Sequence, residues 1–222
     1  MSKTHLESEL EKLKGSVLEM MQLVNSQLAK TRTAFMKFDP EIAQEVIHNE
    51  QRVNALELSI DRDCEVILAL HTPVATNLRF VISMLKINSD LERIGDYSDG
   101  ISNYVVDPDN KKIKQDVINA VQLDQMFELA SSMTHDIMVA YDKKDTALAR
   151  KVYKKDKELN QINREVAKTI SDYVQKDSSI AKEALFIFST SRKLERVGDH
   201  VKNIAEDLIF YLEAEVLKHK NI

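Results

Sequence analysis

Tryptophan is absent from this chain, cysteine occurs once, and only four glycines and three prolines punctuate 222 residues. The lone thiol, Cys64, excludes an internal disulfide and a thiol-rich zinc site. So few turn-forming residues predict long helices joined by short loops. No apolar run approaches the roughly 20 residues that cross a bilayer, so membrane insertion is not expected. The opening Met1-Ser2-Lys3-Thr4-His5-Leu6-Glu7 lacks the apolar core of a signal peptide, and the chain reads as cytoplasmic. Basic charge is also in deficit: 31 Lys and Arg against 36 Asp and Glu leave a net charge of -5. That balance argues against nucleic acid as the main partner. Missing too are a glycine-rich phosphate loop, a Gly-x-Ser-x-Gly elbow and a His-Glu-x-x-His zinc motif.

What is present is helical periodicity. Leu6, Leu10, Leu13, Val17, Met20, Met21, Val24 and Leu28 recur at three- and four-residue spacing and predict a helix over residues 6–37. Asp39-Pro40 then supplies an N-cap followed by proline at the first helical position. The helix it starts carries Val46, Val53, Leu56, Ile60 and Ile67 to about Leu70, where Thr72-Pro73 breaks it. A third helix carries Leu78 to Ile94 and ends near Val105, before Asp107-Pro108-Asp109-Asn110. The second half repeats this plan. A helix is expected from about Ile113 to Tyr141, a second capped by Asp145, and a last one from about Ile180 to the chain end.

The halves align residue by residue. Asp39, Val46, Glu50 and Asn54 match Asp145, Val152, Asp156 and Asn160 at an offset of 106, while Leu91-Glu92-Arg93-Ile94-Gly95-Asp96 matches Leu194-Glu195-Arg196-Val197-Gly198-Asp199 at 103. The expected fold is therefore all-α: two tandem three-helix bundles related by an internal repeat, over residues 1–107 and 111–222.

The duplicated phrase is locally unfavourable. Glu92 and Asp96, like Glu195 and Asp199, lie one helical turn apart, where like charges weaken a helix by a few tenths of a kcal/mol. Gly95 and Gly198 between them each cost about 1 kcal/mol relative to alanine. The preceding helices present Glu50 with Asn54, and Asp156 with Asn160. If the antiparallel helices face each other, four oxygen-bearing side chains converge in each half. A divalent or trivalent cation would relieve their repulsion, and oxygen donors suit Mg, Ca, Mn or iron. The competing reading is a solvated acidic stripe neutralised by Arg93 and Arg196 or by nearby lysines. Both glycines admit close helix packing, room for an ion, or both. Asp90, Asp99 and Glu206 lie near the same stripe without acidic counterparts in the other half.

A di-iron enzyme of the helical-bundle type expects Glu-x-x-His on two helices, and only Glu45-Val46-Ile47-His48 fits. An iron oxidase-like enzyme is therefore the weaker alternative, and a plain helical scaffold is a third. Lys143, Lys144, Arg150, Lys151, Lys154, Lys155 and Lys157 crowd the start of the fifth helix, as a solvated face or as a docking surface for an acidic partner.

With the segment Pro73-Val74-Ala75-Thr76-Asn77-Leu78-Arg79, the paired Leu-Glu-Arg-hydrophobic-Gly-Asp phrases and the three-helix repeats, nearly the whole chain resembles the PhoU family of phosphate-transport accessory proteins. The resemblance implies a cytoplasmic, dimeric, non-enzymatic regulator of phosphate homeostasis. Such a protein restrains high-affinity phosphate uptake and the phosphate-starvation response, acting between the ATPase subunit of a phosphate ABC transporter and a sensor histidine kinase. It also implies metal binding, of iron, manganese or zinc ahead of Mg or Ca, at Glu92, Asp96, Glu195 and Asp199. Glu50, Asn54, Asp156 and Asn160 are the matching positions on the preceding helices. Asn54 and Asn160 depart from the family pattern by placing neutral amides where carboxylates bind more strongly.

Overall fold

The computed structural model describes residues 4–217, and every regular element among them is helical. These are α1 (His5–Lys37), α2 (Pro40–His71), α3 (Ala75–Val106), α4 (Gln115–Ala120), α5 (Leu123–Lys143), α6 (Thr146–Lys176) and α7 (Ala181–Glu213), with a 3-10 turn at Ser178–Ile180 before α7. None is long and apolar enough to cross a membrane.

The same punctuation is used twice. Phe38 and Lys144 end α1 and α5 in the left-handed region, at φ 58° and 55°. Each is followed by an aspartate whose N–H donates back into the helix just ended, Asp39 to the Ala34 carbonyl and Asp145 to the Ala140 carbonyl, both at 2.9 Å. Those aspartates then cap the next helix. Asp39 accepts from the N–H groups of Glu41 and Ile42, and Asp145 from that of Leu148. A single residue thus closes one helix end and opens the next, which keeps the hairpins tight. The repeats differ at their second hairpin. Residues 72–74 link α2 to α3, whereas Asp177 alone separates α6 from the 3-10 turn.

One expected helix is two. Between Ile113 and Tyr141 the chain breaks at Gln122, which adopts φ 54°. Val117, Ile118 and Val121 are buried on one side, while Leu123, Met126, Phe127 and Ala130 are buried on another. At about 100° per residue these two sets fall on roughly opposite faces of a straight helix, so one rod could not bury both. α7 likewise stops at Glu213, with Ala214 in the left-handed region, instead of running on. The expected continuation over 218–222 lies outside the described residues.

α2 packs on α1 and α3, and α6 on α5 and α7, while the repeats meet through α1 against α5 and α3 against α7. Both cross-repeat pairs are antiparallel. Arg32 reaches Asp124 and Glu128, and the Tyr141 hydroxyl donates to the Lys14 carbonyl. Lys86 pairs with Asp207, Asp90 with His200, and Lys193 donates to the Gly100 carbonyl. Leu28, Ile94, Phe127, Met133 and Val197 belong to one continuous apolar core, so the two repeats are fused by it. α2 and α6 are left on the outer flanks, each with a groove against the third helix of its own repeat.

Candidate functional site

Those grooves hold the duplicated phrases. In the first, Glu50 of α2 lies directly over Gly95 of α3. A methyl group at residue 95 would sit 2.9 Å from Glu50 Oε2 and 3.2 Å from Val53 Cγ1. In the second, a methyl group at Gly198 would sit 2.8 Å from Leu159 Cδ2 and 3.2 Å from Asp156 Oδ1. The glycines are therefore clearance positions: each lets an acid of the neighbouring helix lie down on the backbone of the next. Glu50 and Asp156 are 8% and 5% exposed, a depth at which a carboxylate needs partners.

Their partners differ. Glu50 Oε2 accepts from the Gln27 side-chain amide at 3.4 Å, and Glu50 Oε1 has no partner. Burial, followed by repulsion from Asp96, Asp99 and Glu92 that the Gln27 amide only partly offsets, pushes the Glu50 carboxyl up to about 7. Glu92 and Asp99 are raised as well, chiefly by burial and then by Asp96, although Asn103 donates to Asp99 at 2.8 Å. Farther along the groove Glu57 is raised by burial and by Asp61. Two cations border this cluster: Arg93, 3.1 Å from Asp96 and 3.4 Å from Glu92, on the solvent side, and Lys193 of α7, which acts on Asp99 while donating to the Gly100 carbonyl.

In the second groove the Lys202 ammonium stands 3.5 Å from Asp156 and 3.3 Å from Asp199. Asn160 adds a 3.2 Å hydrogen bond to Asp156. Arg196 lies 3.6 Å from Asp199, and Arg192 lies 3.7 Å from Glu195. Burial still raises the Asp156 carboxyl, but Lys202 works against it.

Of the residues expected from spacing, Glu50, Glu92 and Asp96 gather in the first groove, and Asp156, Asn160, Glu195 and Asp199 in the second. Asn54 does not join: it is exposed, while its counterpart Asn160 is half-buried. Asp99 does join, and its lack of an acidic counterpart is informative, because the matching residue is Lys202. Gln27 was not anticipated; its counterpart is Met133, whose methyl lies 3.6 Å from a Cβ placed on Gly198. Asp90 is turned away, accepting from Asn203 and paired with His200 across the repeat boundary. Glu45 and His48 lie exposed on the outside of α2, with Glu45 paired to Lys30. The basic cluster on α6 is partly neutralised, Arg150 by Glu213 and Glu215 and Lys155 by Asp136.

As the side chains stand, no group of three His, Cys, Asp or Glu among the described residues converges tightly enough to hold a metal ion. Buried carboxylate oxygens without a hydrogen-bond partner occur in both grooves, Glu50 Oε1 in the first and Asp156 Oδ1 and Glu195 Oε2 in the second. In donor chemistry the first fits a hard cation better, since Glu92, Asp96 and Asp99 surround Glu50 where Lys202 reaches Asp156.

A PhoU domain model matches this chain twice, over residues 17–105 and 123–208, one match per repeat. The chain belongs to the PhoU family. It is 31% identical over 212 residues to the phosphate-specific transport system accessory protein PhoU of Edwardsiella tarda, covering 96% of this chain and 86% of that one. A PhoU homolog of Aquifex aeolicus is 32% identical over 214 residues, covering 96% of both chains. The crystal structure of PhoU from Pseudomonas aeruginosa superimposes with a TM-score of 0.86 at 28% identity, covering 95% of this chain and all of the other. The all-helical fold of two PhoU repeats is thus that of a family whose matched members are named accessory proteins of phosphate-specific transport.

Proposed function

We propose that this chain is a cytoplasmic, non-enzymatic regulator that restrains phosphate uptake and the phosphate-starvation response by protein contacts, with a metal ion bound in its first acidic groove. The buried Glu50 carboxylate supports the metal reading most directly. It is held over Gly95, one oxygen is unpartnered, and its neighbours Glu92, Asp96 and Asp99 share its charge. A bound cation of the iron, manganese or zinc kind would supply the positive charge that Glu50 lacks, since Arg93 pairs with Glu92 and Asp96 instead. Glu50 would anchor it from α2, and Glu92, Asp96 and Asp99 would hold it from α3. Since α2 and α3 then share one charge, occupancy ties the outer helix to the inner bundle and sets the shape of the flank presented to partners. Those partners are the ATPase subunit of a phosphate ABC transporter and a sensor histidine kinase, met by a homodimer of this chain.

The regulatory reading is tested by deleting the gene and following a phosphate-starvation reporter in phosphate-replete cells. The reporter should rise, and the wild-type chain should return it to baseline. A variant with Glu50, Glu92, Asp96 and Asp99 replaced by alanine should retain less metal after purification without chelator. It should also fail to restore repression. Unchanged reporter output after deletion would sink the regulatory role, and equal metal content in variant and wild type would sink the metal site.

A further inference from the structure

Lys202 occupies in the second repeat the position that Asp99 occupies in the first, 103 residues earlier. Its ammonium lies 3.5 Å from Asp156 Oδ2 on α6 and 3.3 Å from Asp199 Oδ1 on α7. It therefore bridges the two carboxylates that correspond to Glu50 and Asp96. We infer that Lys202 is a tethered cation that fills the second groove in place of a metal ion, so that the chain takes a single metal equivalent, in the first groove. The inference rests on the reading of the first groove given above.

Three observations carry it. First, an ammonium is a compact, strongly hydrated point charge with three donors, and it can satisfy two carboxylates from different helices at once. Second, the surroundings of the two grooves diverge in the same sense. Arg192 stands beside Glu195 where the first repeat has Ser89, and Asn163 and Ala167 replace Glu57 and Asp61. Third, the donors to the two buried acids differ in charge: a neutral amide from Gln27 reaches Glu50, whereas Lys202 and Asn160 reach Asp156. A divalent ion entering the second groove would have to expel an ammonium that already joins acids of both helices. In the first groove Arg93 pairs only with Glu92 and Asp96 of its own helix, from the solvent side, and does not reach Glu50. Both repeats have the glycine and the buried carboxylate that make the pocket, and the aspartate of the first is a lysine in the second.

The test is the metal stoichiometry of the full chain, stripped with chelator and titrated with Mn2+, free ion being read by electron paramagnetic resonance and helix content by circular dichroism. The wild type should bind one equivalent. Lys202→Asp should bind two, and Asp99→Lys none. The double swap should bind one, and that one should be lost on Glu195→Ala and kept on Glu92→Ala. Should Lys202→Asp fail to fold, Lys202→Gln should still show a second equivalent, at least tenfold tighter than any second binding by wild type. Two equivalents on the wild type, or one on both folded Lys202 variants, would overturn the inference. No equivalent on the wild type with one on Lys202→Asp would remove the first-groove reading and leave the role of Lys202 standing. No binding by either would remove both.

Discussion

In the first repeat Glu50 lies on Gly95 with Glu92, Asp96 and Asp99 around it; in the second, Asp156 lies on Gly198 with Lys202 between it and Asp199. The backbone device is the same in both. A glycine on the third helix of each repeat removes a side chain, and an acid on the second helix fills the space. The electrostatic outcome differs: burial raises both buried carboxyls, but neighbouring carboxylates add to the rise at Glu50 while Lys202, one turn beyond the aspartate, works against it at Asp156. Packing and charge are therefore set by different positions, and one can change while the other is kept.

Substitutions should expose this difference with opposite signs. The largest effect is expected from Lys202→Ala, which leaves Asp156 buried without its cation and should destabilise the fold by about 2–3 kcal/mol at pH 7.5 in urea unfolding, below the cost of breaking a fully buried pair because Lys202 is partly exposed. An unchanged unfolding midpoint would erase the contrast between the repeats.

Glu50→Gln should act the other way. The Glu50 carboxyl is raised from 4.5 to about 7, so between those values the folded state holds a proton that the unfolded chain releases. Stability from this group is full below about 4.5 and is lost as pH rises to about 7. Glu50→Gln should therefore be neutral at pH 4 and stabilise the metal-free protein by about 1–2 kcal/mol at pH 8. A flat difference between the two proteins across that range would contradict it.

A smaller contrast comes from the glycines. Alanine in a helix gains about 1 kcal/mol over glycine in propensity. At residue 198 the added methyl would meet Leu159 at 2.8 Å in a packed core, and overpacking should win, leaving a net loss of about 1 kcal/mol. At residue 95 the nearest atom is the end of the Glu50 side chain, which can swing aside, and the closer-held Val53 Cγ1 at 3.2 Å offsets the propensity gain, so the net change should stay within about 0.5 kcal/mol while metal retention falls. Thermal unfolding of both variants without metal, and metal analysis of Gly95→Ala, separate the two. The smallest difference is expected at the asparagines. Asn160→Ala removes a hydrogen bond to Asp156 and should cost about 0.5–1 kcal/mol. Asn54→Ala, on an exposed side chain, should be silent within about 0.5 kcal/mol.

The repeat and most of its helices could be read from the letters, because apolar spacing, the Asp39 and Asp145 caps and the scarcity of glycine and proline all point the same way. The acid-over-glycine arrangement was half visible: two locally unfavourable choices, made twice, marked the third helices, and Glu50 and Asp156 followed from the offset of 106. The break at Gln122 was hidden, since nothing but a reversal of the buried face between Val121 and Leu123 marks it. Asp99 lies near the stripe without an acidic match, and the charge reversal is legible only when it is paired with Lys202 at the offset of 103. Gln27 could not be found from spacing, because a buried amide on the first helix carries no periodic signal and matches a methionine. Asn54 and Asn160 look equivalent in sequence and differ only in the depth to which their helices bring them.

The antiparallel joints between the repeats bear on how the chain would behave if it were no longer continuous. Each repeat turns the apolar faces of its first and third helices toward the other, and the two are connected only by the stretch from Asp107 to Leu123, with α4 in it. Either piece alone would expose that face to water, a strong drive to associate. A protease nick within Asp107–Asn110 should therefore leave a non-covalent complex of two fragments with the native helix content, and the halves produced separately should find each other as a heterodimer. Covalent continuity would then serve mainly to keep two complementary surfaces at high effective concentration.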